Sequence, residues 1–189
     1  MNKKRLLIIT SEFPPQPGGI GNHAFNVAKH LDKNGYTIEL ISDNRSDSGE
    51  EERLFDSELK FKVFRIVKYK LRLWMYIKRL LLLFQRIKSA DRVLASGKFS
   101  LWSVAFVSVF YKRKYLAVIH GSEVNFTNKV LRTSIEFSLK RFSKLIAVSN
   151  YTKALVTGIH NNVVCIPNGI DIEHLQSKAI NNTELSGYP

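Results

Sequence analysis

Short apolar runs alternate with amphipathic segments along most of the chain, and this alternation constrains the fold more than any other feature of the sequence. The run "RLLIIT" (5–10) is almost wholly apolar and ends at a turn, which is typical of a parallel strand buried on both faces. The next segment carries apolar residues at helical spacing and ends at "NG" (34–35), which indicates a helix. Strands that alternate with helices predict a Rossmann-like α/β fold with a doubly wound, mainly parallel sheet, in which the first strand is central.

The same alternation continues to about residue 172. Further strands are predicted at "TIELIS" (37–42), "LKFKVFRIV" (59–67), "RVLAS" (92–96), "YLAVIH" (115–120), "KLIAVS" (144–149) and "NVVCIP" (162–167), with a helix before each of the last three. The polar, acidic segment 43–53 is predicted to be a mobile loop, and a long basic helix is predicted to end near Lys88. Residues 1–172 therefore form the predicted domain, and residues 173–189 are predicted to be an interdomain linker or a frayed tail.

Length, cysteine content and charge narrow the function classes. A chain of 189 residues suits one domain with its own core, and the single cysteine, Cys165, cannot form an internal disulfide. The sequence shows no signal peptide, and its longest apolar-rich stretch (99–111) is too short for a spanning helix, so we expect a cytoplasmic location. The net charge of +13 indicates an anionic partner: nucleic acid, a phosphorylated substrate or a lipid surface.

The candidate site consists of residues that directly follow predicted strands. In a doubly wound sheet, ligands bind beyond the carboxyl ends of the strands, where neighbouring crossovers diverge. "GGIG" (18–21) follows the first strand and opens a helix, so its backbone amides could face an anion. The polar residues at the other strand ends are His120 and Glu123, Ser149 and Asn150, and Asn168. All of these positions should meet along one edge of the sheet.

Each of these positions also has a purely structural explanation. "GGIG" does not match the dinucleotide-binding GxGxxG spacing, and a tight turn explains it as well as a ligand site does. Ser149 suits a helix N-cap, and Asn168 begins a common turn dipeptide. His120 favours chemistry over packing because it ends a strand and precedes a glycine, whereas His23 is open to either interpretation.

Four segments carry a resemblance to a known family: "FPPQPGGIGNHAFNVAKHLDKNGYTIELIS", "VIHGSEV", "KLIAVSNYTKALV" and "VVCIPNGID". In this order and spacing they resemble the N-terminal domain of the retaining "group 1", family 4-like glycosyltransferases, which have the two-domain GT-B fold. The resemblance runs from residue 5 to about residue 172. Between residues 43 and 114 only the general pattern of strands and helices matches.

The resemblance implies an activity and a set of site residues. Such enzymes transfer a sugar, with retention, from a nucleoside-diphosphate sugar to a saccharide or lipid-linked acceptor, and the donor is a substrate rather than a cofactor. The resemblance implies His120 as the catalytic residue beside the transferred sugar, and no metal site. The implied substrate-binding residues are Gly18, Gly19, Gly21, Asn22, His23, Glu123, Ser149, Asn150 and Asn168. The family's paired-glutamate motif for the donor does not follow "IPNGID", so the donor-binding domain is expected to be absent and the chain alone inactive.

The basic segment suggests a membrane. Ten lysines and arginines and no acid lie between Leu59 and Ala90. The apolar positions predicted to pack on the sheet are Leu73, Tyr76, Ile77, Leu80, Leu83 and Ile87. The positions predicted to contact an anionic membrane at its inner face are Arg72, Trp74, Lys78, Arg79 and Arg86. A helix buried on two sides is the structural alternative. A basic module that binds nucleic acid is the functional alternative, although no nucleic-acid-binding fold is evident.

Overall fold

Seven strands form one all-parallel sheet in the computed structural model, which describes residues 4–69 and 71–169. The strands are β1 (Arg5–Thr10), β2 (Thr37–Asp43), β3 (Lys62–Ile66), β4 (Arg92–Ser96), β5 (Lys114–Ile119), β6 (Lys144–Ala147) and β7 (Val163–Cys165). Their order across the sheet is β3-β2-β1-β4-β5-β6-β7. The predicted doubly wound sheet is confirmed, because the strand order reverses between β1 and β4 at an interior strand.

Six helices cover the two faces of the sheet. They are α1 (Gly19–Lys33), α2 (Glu50–Ser57), α3 (Arg72–Arg86), α4 (Lys98–Val107), α5 (Lys129–Leu139) and α6 (Asn150–Thr157), and a short 3-10 turn (Ile87–Ser89) follows α3. The first two helices pack on one face, and the other four pack on the opposite face. None of the helices in the described part of the chain combines the length and the apolar character that crossing a membrane would require.

Strand β1 lies in the middle of the core. Leu6 and Ile8 point to the layer of α1 and α2, whereas Leu7 and Ile9 point to the layer of α3 and α4. All four side chains are at most 4% exposed. Burying each of them stabilises the fold by about 1.5–3 kcal/mol relative to exposure, which explains why this segment is apolar at successive positions.

The segment predicted as a mobile loop contains the start of a helix. Helix α2 begins at Glu50 inside the 43–53 stretch, so that part of the prediction is wrong. Glu52 is fully buried, and its carboxylate accepts the backbone N–H groups of Arg45 at 2.7 Å and Ser46 at 2.8 Å. A buried acid therefore holds the preceding turn against α2. The predicted tail (173–189) lies outside the described residues.

Helix α3 forms as predicted, and its predicted packing face holds in the second half of the helix. Leu83 and Ile87 are fully buried as predicted, whereas Leu73, also predicted to pack on the sheet, is 58% exposed. Arg79 is only 2% exposed and pairs with Asp43 at the end of β2. The prediction that Arg79 contacts a membrane is therefore wrong, because its guanidinium lies between the helix and the sheet.

Candidate active site

The start of α1 and the segment after β5 meet at the carboxyl edge of the sheet. His23, in the first turns of α1, and His120, directly after β5, have ring centroids 5.1 Å apart with planes at 86°. The structure thus brings the glycine-rich start of α1 next to the strand-end histidine. These two segments are separated by almost 100 residues, and the reversal of strand order between β1 and β4 places them at the same edge.

His120 is held by a neighbouring strand. Its Nε2 lies 3.0 Å from the Oγ of Ser96, the last residue of β4. Burial, together with a smaller effect of the nearby His23, lowers the pKa of His120 to about 4. Burial also lowers the pKa of His23. Both rings are therefore neutral at physiological pH.

Glu123 shapes the loop after β5 instead of facing an open cleft. It is fully buried, and its Oε2 accepts the backbone N–H of His120 at 3.0 Å. Gly121 lets the loop turn back because its φ of 110° is in the left-handed region. Burial raises the pKa of Glu123, while backbone N–H groups, including that of His120, oppose this shift. The hydrogen bond to His120 gives Glu123 a structural role in its own loop, and its substrate contact stays a prediction.

The start of α1 presents unpaired amides. Gly18 is the N-cap residue and provides no side-chain cap, and the first turn of the helix contains no acid. Within the described part of the chain, no protein group accepts the N–H groups of Gly19, Ile20 and Gly21. Such a helix end carries a partial positive charge and free donors, which suit an anion.

The three glycines have different surroundings. A Cβ on Gly19 would meet no atom within 4 Å, so a side chain at this position would have free space. A Cβ on Gly21 would lie 3.0 Å from the backbone nitrogen of Phe13, which indicates a packing requirement. A Cβ on Gly18 would lie 2.5 Å from the Oε2 of Glu12, a flexible side chain that can move. Gly19 is therefore the glycine that packing explains least.

The remaining predicted site residues lie at or near the ends of strands or helices, and their side chains make no hydrogen bond to His23 or His120 in the described part of the chain. The Ser149 hydroxyl accepts the backbone N–H of Thr152 at 3.1 Å, so the N-cap alternative accounts for this serine. Asn22, Asn150 and Asn168 are exposed. Asn150 begins α6, and Asn168 follows β7, so both stand at the same edge of the sheet as His120.

The sequence reasoning missed two residues of the site. Ser96 ends β4 and contacts His120, and Lys98 begins α4 close enough to Glu123 for its charge to lower the pKa of that carboxyl. Both could have been found from the rule that already identified His120, since a polar residue at the end of a parallel strand faces the ligand edge. In the ranges 4–69 and 71–169, no three histidine, cysteine or acidic side chains form a group that could hold a metal ion.

The predicted membrane residues differ in their environments. Trp74 is 52% exposed, and Lys78 is also exposed. Arg86 is half-buried, with its guanidinium 3.9 Å from the centroid of the Phe64 ring. The side chain of Arg72 lies outside the described part of the structure.

Several solved structures share this fold. A glycosyltransferase from Rickettsia africae matches the whole chain with a TM-score of 0.69 and 20% identity. HepE of Anabaena, solved in complex with UDP-glucose, matches 94% of the chain with a TM-score of 0.63 and 18% identity. Sucrose-phosphate synthase from Thermosynechococcus elongatus matches 95% of the chain with a TM-score of 0.68 and 13% identity. The chain spans about half the length of each of these proteins: 52%, 50% and 53%, respectively.

No curated protein sequence matches the chain. The model of glycosyltransferase family 4, however, matches residues 17–174, which include the glycine-rich start of α1 and the His120 loop. The Rossmann-like α/β sheet agrees with this match, because it is the fold of the GT-B glycosyltransferase neighbours. The chain therefore belongs to glycosyltransferase family 4.

Proposed function

We propose that this chain is the acceptor-side half of a glycosyltransferase that moves a sugar from a nucleoside-diphosphate sugar to a saccharide or lipid-linked acceptor, with retention. The family match and the solved complex of HepE with UDP-glucose support a nucleotide-sugar donor. The observation that carries the proposal is the meeting of the amides that begin α1 with the His23–His120 pair at one edge of the sheet. Residues 1–172 would form this domain, and the donor is a substrate rather than a cofactor.

In this proposal, the start of α1 faces the diphosphate of the donor. Departure of the nucleotide builds negative charge on the diphosphate, and preorganised N–H donors stabilise that charge most in the transition state. Gly19 allows close approach because its position is open and carries no side chain. Asn22, which is exposed on the same helix, could add a side-chain donor.

His120 would orient the transferred sugar. Its Nε2 is engaged by Ser96, and its Nδ1 makes no hydrogen bond to any described residue. If Ser96 donates to Nε2, Nδ1 carries the proton and can donate; in the other tautomer, Nδ1 accepts. In both cases one ring nitrogen is available to a sugar hydroxyl. A pKa of about 4 keeps the ring uncharged, which suits hydrogen bonding to a neutral sugar.

A donor screen tests the proposal. The 189-residue chain and a two-domain form that adds a donor-side domain should be incubated with a panel of nucleoside-diphosphate sugars, with nucleotide release and product anomer as readouts. We expect transfer with retention by the two-domain form only, because the chain corresponds to about half of its structural neighbours. Transfer by the single chain, or an inverted product, would contradict the corresponding part of the proposal.

A further inference from the structure

Exposed apolar side chains are concentrated on one helix layer. Among the described residues, eight large apolar side chains within α3, α4 and α5 are exposed, whereas α1 and α2 together carry only one, Leu54. The eight are Leu73, Trp74, Leu81, Phe99, Phe106, Val130, Leu131 and Phe137. Scattered exposed apolar residues are normal, but a concentration on one side of a molecule marks an interaction surface.

These side chains form a continuous surface because the three helices lie side by side. Helix α4 packs between α3 and α5 on the same face of the sheet. Trp74 and Leu81 are seven residues apart on α3, and Val130 and Phe137 are seven apart on α5, so each pair lies on one side of its helix. We define the outer apolar face as five of these side chains, Trp74, Leu81, Phe106, Val130 and Phe137, together with Phe110, three residues after the end of α4; the six are 51–76% exposed.

The fold itself holds the middle of this face in place. Half-buried Phe84 of α3 contacts Phe106 and Phe110, with ring centroids 6.3 and 5.5 Å apart. Between α4 and α5 lies an open groove of about 670 Å³, lined in part by Val130 and Phe137. The rings that project from the face are therefore anchored at their bases and exposed at their outer edges.

The charges around the face are predominantly positive. Helices α3, α4 and α5 contain seven lysines and arginines, of which Arg79 is buried against Asp43, and one acid, Glu136, which pairs with Arg132. Helices α1 and α2, on the opposite side of the sheet, contain three lysines and arginines and five acids, of which Glu52 is buried. The exposed Lys78, Lys112 and Lys129 lie on or next to the helices that carry the apolar face. The molecule thus has an apolar, basic side and an acidic side.

We infer that the outer apolar face docks the domain on a membrane surface rich in anionic headgroups. Such a surface satisfies both features, because the aromatic and aliphatic side chains can enter the headgroup region while the lysines remain at the phosphates. A second copy of the chain satisfies only one of them, since two such faces would bring basic side chains together in a protein with a net charge of +13.

Vesicle sedimentation tests the docking without any sugar donor. The full 189-residue chain should be mixed with phosphatidylcholine vesicles and with vesicles in which about a third of the lipid is phosphatidylglycerol. We expect at least about tenfold tighter binding to the anionic vesicles, weakened by salt.

The Phe106→Ser/Phe110→Ser variant should bind the anionic vesicles at least about tenfold more weakly than the wild type, because both exposed rings are lost. Lys78→Gln/Lys129→Gln should also weaken binding.

A charge-matched control variant on α1 and the fluorescence of Trp74 test whether the outer apolar face, and not another surface, contacts the membrane. Lys29→Gln/Lys33→Gln removes the same charge from α1 and should bind like the wild type. In Trp102→Phe, Trp74 is the only tryptophan, so its emission should shift to the blue and be quenched by brominated lipid. Circular dichroism verifies the fold of each variant.

Four results would overturn the inference. The first is equal binding to neutral and anionic vesicles, or none, and the second is unchanged emission of Trp74 when the chain sediments. The third is a dimer that the Phe106→Ser/Phe110→Ser variant dissociates, since a second copy would then be the occupant. Tighter binding to duplex DNA than to anionic vesicles at matched salt would favour the nucleic-acid alternative and count equally against the membrane.

Discussion

The imidazole rings of His23 and His120 meet edge to face, with centroids 5.1 Å apart, at the point where the first turns of α1 approach the end of β5. Burial lowers the pKa of both rings, so two uncharged imidazoles lie next to each other without repulsion. The free amides begin the helix that carries His23, and Ser96 contacts His120. An anion and a neutral sugar ring could therefore be bound within the same small region.

Replacing His120 with alanine should reduce turnover by the two-domain enzyme about 100-fold or more, which is the usual size of a positioned polar contribution to the transition state. Ser96→Ala should reduce turnover less, because it removes only the group that orients the ring. Steady-state kinetics measure both effects. The thermal unfolding of each variant is the control for folding. A His120→Ala enzyme with wild-type turnover would exclude the proposed role.

Replacing Gly19 with valine should block transfer and leave the stability of the domain within about 0.5 kcal/mol, the usual range for an unconstrained surface site. The new side chain would meet no protein atom within 4 Å of its Cβ, so it would crowd only a ligand. Urea unfolding and the donor assay together measure this difference. Normal transfer by a folded Gly19→Val enzyme would mean that "GGIG" serves only as a turn.

Replacing Gly21 with alanine should have the opposite effect and destabilise the domain by about 1–3 kcal/mol. Its Cβ would lie 3.0 Å from the backbone of Glu12 and of Phe13, and backbone moves less readily than a flexible side chain. Urea unfolding of this variant is the measurement. Unchanged stability would contradict the packing explanation for Gly21.

Acidification should destabilise the domain partly through the histidine pair. The pKa of His120 is about 4 in the folded chain and near its ordinary value of 6.5 in the unfolded chain. Between these values the unfolded chain binds more protons, so this contribution to stability is complete above pH 6.5 and is lost as the pH falls toward 4. The free energy of unfolding of His23→Asn/His120→Asn should therefore depend less on pH in this window. His30→Asn, at an exposed position of α1, is the matched control. An identical pH dependence in the histidine-pair variant and the wild type would contradict the linkage.

Replacing Arg79 with alanine should destabilise the fold by about 3–5 kcal/mol, because it would leave the buried carboxylate of Asp43 without its partner. Lys78→Ala, at the adjacent exposed position, should change stability by less than about 0.5 kcal/mol. Urea unfolding distinguishes the two variants. Equal, small effects would contradict the buried ion pair.

Periodicity was sufficient to predict the strands but neither α2 nor the buried position of Arg79 on α3. The strands of the sheet centre are buried on both faces, so their sequences are apolar at successive positions, as in "RLLIIT". Helix α2 instead begins with three glutamates, of which Glu52 is buried because it binds a turn. In α3, the inward position of Arg79 depends on Asp43, which is 36 residues away in the sequence. Neither contact leaves a local pattern.

In the candidate site, too, some features could be predicted from the sequence and others could not. Topology alone placed His120 at the carboxyl edge of the sheet, as the structure shows, because that position depends only on the order of strands and helices. It could not show that the carboxylate of Glu123 turns back to the N–H of His120, which depends on the path of one loop. Its prediction for the function of these residues awaits the kinetics described above.

The all-parallel sheet also determines the order in which the chain can acquire its structure. Strand β1 pairs with β2 about 30 residues later, but its other neighbour, β4, begins only at Arg92. A chain emerging from the ribosome would therefore have β1 to β3 available while one edge of β1 still lacked its partner. Pairings this distant in sequence form slowly, since a long loop must close before any contact stabilises it. The strand that organises the mature domain is thus, for a time, an unprotected apolar edge, and the interval before β4 arrives is when misassociation is most favoured.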